Sequence, residues 1–302
     1  MRNVIEVIGL RKVYGELIAL DDISFAVREG EIFGLLGPNG AGKTTALECM
    51  EGLRRPDAGS IDIMGVDPNR EPRRLRNIIG VQLQSSGLPP TIKVREAMNF
   101  FSAYHGVAPQ MELLERLKLT EKKEAEYHTL STGQQRRLAL ALAVSHNPSV
   151  LFLDEPTAGL DVASRVELHR LMAELKNEGT TIILSTHDMA EAEEMTDRVA
   201  ILLQGQIITT GTPRELTSTG SGLTKISLRT AANTAATTDF PAVEKRMEGD
   251  EYTIYYSSDI GPTVTAIIAH IEKSNDTLID LRVERPSLEE RFLELTKAGV
   301  AI

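Results

Sequence analysis

A single cysteine, Cys49, occurs in the 302 residues, and one thiol can neither close an internal disulfide nor build a metal site by itself. It is read as a small core residue, the common fate of free cysteine. No stretch approaches the roughly 18 to 20 consecutive apolar residues that a membrane helix needs. The N-terminal "MRNVIEVIGLRKVYG" also lacks the continuous apolar core and small-residue cleavage site of a secretory leader. These absences lead us to expect a cytoplasmic chain. Basic charge is scarce as well: 33 Lys and Arg against 43 Asp and Glu leave a formal charge of -10, without a cationic run long enough to follow a phosphate backbone. Non-specific nucleic-acid binding is thereby disfavoured. No internal repeat or low-complexity tract stands out.

What is present is 41% hydrophobic residues, enough to build real cores in one large domain or two ordinary ones. Short β-branched runs, "NVIEVIGL", "EIFGLLG", "SVLFLDEP", "TTIILSTH" and "RVAILLQG", read as strands, several apolar on both faces as buried parallel strands are. They alternate with the helical stretches "TTALECMEGL", "VREAMNFFSAYHG", "QQRRLALALAVSH" and "VASRVELHRLMAELKNEG", the last ending in glycine. Around "TSTGSGL" (217–223) the composition turns to Gly, Ser and Thr, which suits a flexible joint. We therefore expect an α/β domain over 1–219. A small α+β domain is expected over 220–302, from the strands "TKISLRT", "EYTIYY" and "TLIDLRVE" and the helices "PTVTAIIAHIEKS" and "SLEERFLELTKA".

The stretch "GPNGAGKTT" (37–45) fits G-x-x-x-x-G-K-[ST] at Gly37, Gly42, Lys43 and Thr44, after one expected strand and before one expected helix. Glycines there let consecutive backbone N–H groups close around the β- and γ-phosphates of a nucleotide, and the helix presents its positive end. Pro38, Asn39, Gly40, Ala41 and Thr45 complete the cradle, Lys43 neutralises charge, and Thr44 can ligate magnesium. A second metal anchor and a base follow in "VLFLDEP" (150–156). Asp154 would hold the magnesium shell, while Glu155, pointing to the other side of the strand's end, could polarise a water toward the γ-phosphate. Ser131, opening "LSTGQ", could cap the helix that follows it.

"GPNGAGKTT", "LSTGQ", "LFLDEPTAGLD" and "ILSTHD", in this order and spacing, resemble the ATP-binding cassette (ABC) ATPases over roughly residues 4–215. Thr132 departs from the family's LSGGQ signature. The resemblance implies a P-loop cassette with a helical subdomain, binding ATP and Mg2+, and a head-to-tail homodimer with two ATPs at its interface. Each ATP is then held by the loop of one subunit and by Ser131, Gly133 and Gln134 of the other. Tyr14 resembles the aromatic that stacks on adenine, and Gln84 the glutamine that reaches magnesium and the attacking water, with Gln82 a nearby rival. Asp161 resembles the residue coupling the two sites and is also a candidate helix N-cap. His187 resembles the histidine that contacts the γ-phosphate.

The tail "LRVERPSLEERFLELT" is similar to that of the bacterial drug-exporter branch, the daunorubicin/doxorubicin-resistance type. This implies an ATPase peripheral to the inner face of the cell membrane, held there by a separate permease subunit. Its contact groove is expected near "SSGLPPTIKVREAMNFF". Two rival readings are a soluble ABC ATPase acting on ribosomes or DNA, and a nucleotide-dependent regulatory clamp. The first usually brings paired cassettes, coiled coils or basic arms. Glu155 and His187 argue against the second.

Overall fold

The structure, a computed structural model of the chain, describes residues 2–82, 87–218, 223–249, 251–284 and 287–299. It separates into two compact units, Met1–Thr212 and Pro213–Ile302. In chain order the first unit runs β1 (Asn3–Tyr14), β2 (Leu17–Arg28), β3 (Ile32–Leu36), α1 (Lys43–Met50), β4 (Ala58–Ile63), α2 (Pro72–Ile78), β5 (Ile79–Gln82) and α3 (Val94–His105). It continues α4 (Glu112–Arg116), α5 (Thr132–Val144), β6 (Val150–Asp154), α6 (Val162–Asn177), β7 (Thr181–Thr186), α7 (Met189–Met195), β8 (Arg198–Leu203) and β9 (Gln206–Gly211).

Two sheets form in this unit. β2-β1-β4 is antiparallel, and β5-β6-β7-β3-β8-β9 is parallel except for β9 at its edge. Strands β3, β6 and β7 are buried at every position because the large sheet is covered on both faces. Leu151, Leu153, Ile182 and Leu184 pack with α3, α5 and α6, while Val150, Phe152 and Ile183 pack with α1 and the small sheet. Successive side chains of a strand alternate between faces, so one run of residues feeds two cores. Each fully buried Leu or Ile contributes about 1.5–3 kcal/mol against exposure. Helix α6 stops as its sequence suggests, with Gly179 at φ +100° just past the cap residue Glu178. Cys49 is buried, and burial pushes its thiol up to about 11.

The parallel register decides where the loops meet. Leu36 lies beside Thr186 and Asp154 beside Ser185, so β3, β6 and β7 end at one level. Segments following their carboxyl ends therefore converge, the usual location for a ligand in an open α/β sheet.

The second unit comprises α8 (Pro213–Ser218), β10 (Thr224–Thr230), β11 (Val243–Glu248), β12 (Thr253–Ser257), α9 (Ile260–Lys273), β13 (Leu278–Glu284) and α10 (Leu288–Gly299). Its antiparallel sheet has the order β11-β12-β10-β13. Ile226, Leu228, Phe240, Tyr255, Ile267 and Ile271 form its core. Helix α8, which the sequence expectation placed in the first domain, clusters with this second unit; residues 219–222 of the expected joint lie outside the described residues. Among the described residues no helix is long and apolar enough to cross a membrane.

Candidate functional site

The loop between β3 and α1 is shaped by close approach. A Cβ on Gly37 would meet the Leu202 carbonyl oxygen at 2.2 Å, and one on Gly42 would meet that of Ala19 at 2.4 Å. Gly42 also sits at φ +106°, which other residues rarely adopt, and serves as the N-cap position of α1. Lys43, the first residue of α1, reaches back over the loop. Its Nζ donates to the carbonyls of Gly37 at 2.7 Å and Pro38 at 3.1 Å. Burial lowers the Lys43 pKa, while the nearby Glu155 and Asp154 carboxylates pull against that shift.

Asp154 ends β6 buried. Its carboxylate accepts from Thr44 Oγ1 at 3.1 and 3.3 Å and from Ser185 Oγ. Glu155 does not continue the strand's alternation. It turns at φ +45°, and its backbone N–H donates to Ser185 Oγ at 3.0 Å, so its side chain joins Asp154 on the loop side instead of opposing it. Oε1 of Glu155 lies 3.9 Å from Lys43 Nζ and 3.0 Å from His187 Nδ1. A left-handed non-glycine residue costs of order 1–3 kcal/mol and persists where its surroundings over-determine it. Here those surroundings are an ammonium, an imidazole and a serine.

Thus Lys43, Thr44, Asp154, Glu155 and His187 meet in one linked cluster. A cleft of about 600 Å³ opens beside it, bordered by Tyr14, Asn39, Gly40, Thr44, Thr45 and Glu155. Tyr14 is 37% exposed at the end of β1, with Arg54 and Lys12 within 5.4 and 5.5 Å of its ring. Ala41 is buried behind the loop.

Ser131, Gly133, Gln134 and Asp161 are not among the residues lining this cleft. Ser131 caps α5 in a reciprocal box with Gln134: the Gln134 N–H donates to Ser131 Oγ at 3.3 Å, and the Ser131 N–H to Gln134 Oε1 at 2.9 Å. Gly133 presses on Ser164, whose Oγ would stand 2.7 Å from an added Cβ. Asp161 caps α6 by accepting from the Ser164 N–H and Oγ, which hold its carboxyl below its ordinary value. Gln84 lies outside the described residues. Gln82 is buried in β5 with neither amide atom hydrogen-bonded.

Three participants went unnoticed in the sequence: Ser185, bridging Asp154 and Glu155, and the pair Thr157 and Glu191, hydrogen-bonded at 2.5 Å. The only trace was the Asp188–Glu191 spacing of a helix N-terminus, which signals the cap and not the inward carboxylate.

A glycine-shaped phosphate loop at the end of a parallel strand, with an acid pair on a neighbouring strand, defines a P-loop nucleoside triphosphatase. Residues 20–158 match the ABC transporter family model. The Nod factor export ATP-binding protein I of Ralstonia nicotianae is 36% identical, over 97% of this chain and 94% of that protein. The linearmycin resistance ATP-binding protein LnrL of Bacillus subtilis is 33% identical, over 95% and 96%, and the daunorubicin resistance ATP-binding protein DrrA3 of Streptomyces coeruleorubidus 34%, over 97% and 96%. Among solved structures, an ATP-binding subunit of an ABC transporter superposes with a TM-score of 0.66 at 28% identity, over 70% of this chain and 91% of that one. The dimeric structure of MJ0796, a bacterial ABC transporter cassette, gives 0.62 at 28% identity, over 69% and 98%. The chain belongs to the ABC transporter ATP-binding proteins, which hydrolyse ATP to power transport.

Proposed function

We propose that this chain is the ATPase subunit of an exporter, moving a drug-like or lipid-like compound through a separate membrane subunit from the cytoplasmic face. The observation that carries the reading is the contact of Glu155 Oε1 with both Lys43 and His187 at the mouth of the phosphate loop. The likeness along nearly the whole chain to proteins named for Nod factor export and for linearmycin and daunorubicin resistance supports the export direction.

In this reading the backbone N–H groups of residues 39–45 hold the β- and γ-phosphates of ATP, Lys43 neutralises them, and Tyr14 stacks on the adenine. Glu155 polarises the attacking water, and His187, bonded to Glu155 through Nδ1 at 3.0 Å, fixes the carboxylate's direction and reaches the γ-phosphate. The Thr44 hydroxyl and Asp154 carboxylate, 3.1 Å apart, are hard oxygen donors that fit Mg2+, with Gln84 as a further ligand. Bound there, the ion would neutralise phosphate charge. Ser131, Gly133 and Gln134 serve the site of a second copy in a head-to-tail homodimer, with Asp161 linking the two sites. Ser131 stands exposed at the N-terminus of a 13-residue helix, a position suited to phosphate.

Of the expected contact stretch 85–101, Ser85 and Ser86 lie outside the described residues. Its last residue, Phe101, borders a groove of about 450 Å³ with Leu53, Arg76 and Tyr104, between α2, α3 and the end of α1, where the membrane subunit docks. Leu53 and Tyr104 are 59% and 55% exposed there, an apolar investment that a free surface does not need.

The test is Glu155→Gln, which keeps the shape and removes the base. Steady-state phosphate release is expected to fall about 100-fold or more with ATP binding retained, and size-exclusion chromatography with ATP and magnesium to show a trapped dimer. Turnover near wild type would remove Glu155 from this role.

A further inference from the structure

We infer that Glu191 is a positioning residue for hydrolysis, clamping the loop that carries Glu155 to the strand that carries His187. This rests on the roles proposed above for those two residues. Glu191 is the third residue of α7, and its side chain is 2% exposed. Oε1 accepts from Thr157 Oγ1 at 2.5 Å and faces His169 Nε2 at 3.1 Å, while Oε2 accepts from Thr186 Oγ1 at 2.7 Å. Thr157 stands two residues after Glu155, and Thr186 immediately precedes His187. His169 belongs to α6, the helix capped by Asp161. One carboxylate therefore ties together three segments, each leading to a residue of the site.

Its burial would push the Glu191 pKa up, but hydrogen bonds from His169, Thr157 and Thr186 outweigh this and hold it below the ordinary value. A buried carboxylate is costly unless its oxygens are satisfied, and a hydrophobic residue would fill the same volume without that cost. Nor is the carboxylate needed to start α7, because Asp188 already caps it by accepting from the Glu191 N–H at 3.0 Å. What the carboxylate adds is direction. The Glu155 backbone is held on one side by Ser185, through hydrogen bonds of 3.0 and 3.2 Å, while its carbonyl accepts from Ala158 at 3.2 Å on the other. Thr157 lies inside that second turn. Releasing it lets Glu155 leave its left-handed conformation, and releasing Thr186 frees the strand end before His187.

The test uses hydroxyl removal at constant shape. In the full chain, Thr157→Val and Thr186→Val are each expected to lower kcat roughly 10- to 100-fold, the cost of misplacing a reacting group by about an ångström. KM for ATP should stay within about threefold. Thr157→Ser and Thr186→Ser, which keep the donor, should restore most of the rate. Glu191→Gln should behave like the valine variants, and in a Glu155→Gln background it should lower the residual rate by a smaller factor than in the wild type, because the part of its effect that runs through Glu155 is already gone. Wild-type kcat in folded valine variants, or a full multiplicative loss in the double variant, would overturn the inference. If Glu155→Gln itself leaves hydrolysis intact, the reading of the site fails first; if it stops hydrolysis while the valine variants do not, only the clamp fails.

Discussion

Glu51 closes α1 with a buried carboxylate that has no hydrogen-bond partner on either oxygen. Burial is the main cause pushing its pKa up to about 8, helped by the negative charges of Asp154 and Glu48. The unfolded chain ionises this group near its ordinary value, whereas the folded chain holds the proton to about pH 8. Folding therefore takes up a proton between those values. Stability from this source is complete below about pH 4.5 and declines as pH rises toward 8. Glu51→Gln, which has no proton to lose, should gain on wild type by on the order of 2–4 kcal/mol between pH 5 and 8.5. Denaturant midpoints of both proteins at the two pH values measure this, and a difference independent of pH would refute it. Glu51 borders the groove proposed for the membrane subunit, so a cation placed there by a partner would favour the charged form. Single residues were legible in the sequence where chemistry and position coincide. Asp154, Glu155 and His187 stand at or just after the end of a buried strand, Lys43 follows β3 across the glycine-rich loop, and parallel strands bring such ends together. Glu191 was not, because a charged residue in a helix reads as solvent-facing until the packing of its neighbours turns it inward.

At the scale of elements, the loop from β3 to α1 makes a sharper claim than its motif does. Gly40 sits at φ +81° with nothing within 4 Å of an added Cβ, whereas Gly42, at φ +106°, would drive a Cβ to 2.4 Å from the Ala19 carbonyl. Gly40→Ala should cost about 1 kcal/mol from backbone conformation alone. Gly42→Ala adds a clash with backbone that cannot swing aside, so it should cost at least about 2 kcal/mol and displace the first turn of α1. Urea unfolding and equilibrium ATP binding check both; equal losses at the two positions would show that the loop shifts as a unit and relieves the clash. The buried strands β3, β6, β7 and β8 were plain in the sequence because runs of apolar residues had to be covered on both sides. Strand β2 was not. Asp21 and Asp22 interrupt it, Asp22 adopts φ +58°, and the β1–β2 register shifts at several points, which erases the alternation that marks a half-buried strand. Strand β11 is exposed along almost its whole length and so carries little apolar signal to read.

For the molecule as a whole, the decisive question is whether the two halves of an ATP site come from one chain or two. The cap bonds of Ser131 within α5 are satisfied inside the chain and say nothing of a second copy. The cleft beside Lys43 is not lined by Ser131, Gly133 or Gln134 of its own chain, and in the head-to-tail arrangement proposed above a second copy supplies them. Lys43→Ala removes the loop's cation, and Ser131→Arg fills the exposed cap with a bulky side chain, so each variant alone should be nearly inactive. In a dimer of one with the other, the intact loop of the Ser131→Arg chain faces the intact cap of the Lys43→Ala chain, which leaves one of two sites whole. With random exchange at equal amounts half the dimers are mixed, so the recovered rate should be roughly a quarter of wild type. Where dimerisation is weak it should also rise faster than linearly with protein concentration. A purified heterodimer of wild type with the double variant Lys43→Ala, Ser131→Arg supplies the opposing case. It contains one wholly intact chain and no whole two-chain site, and it should be silent. Robust hydrolysis by that heterodimer would sink the head-to-tail arrangement, because the intact chain alone would then suffice.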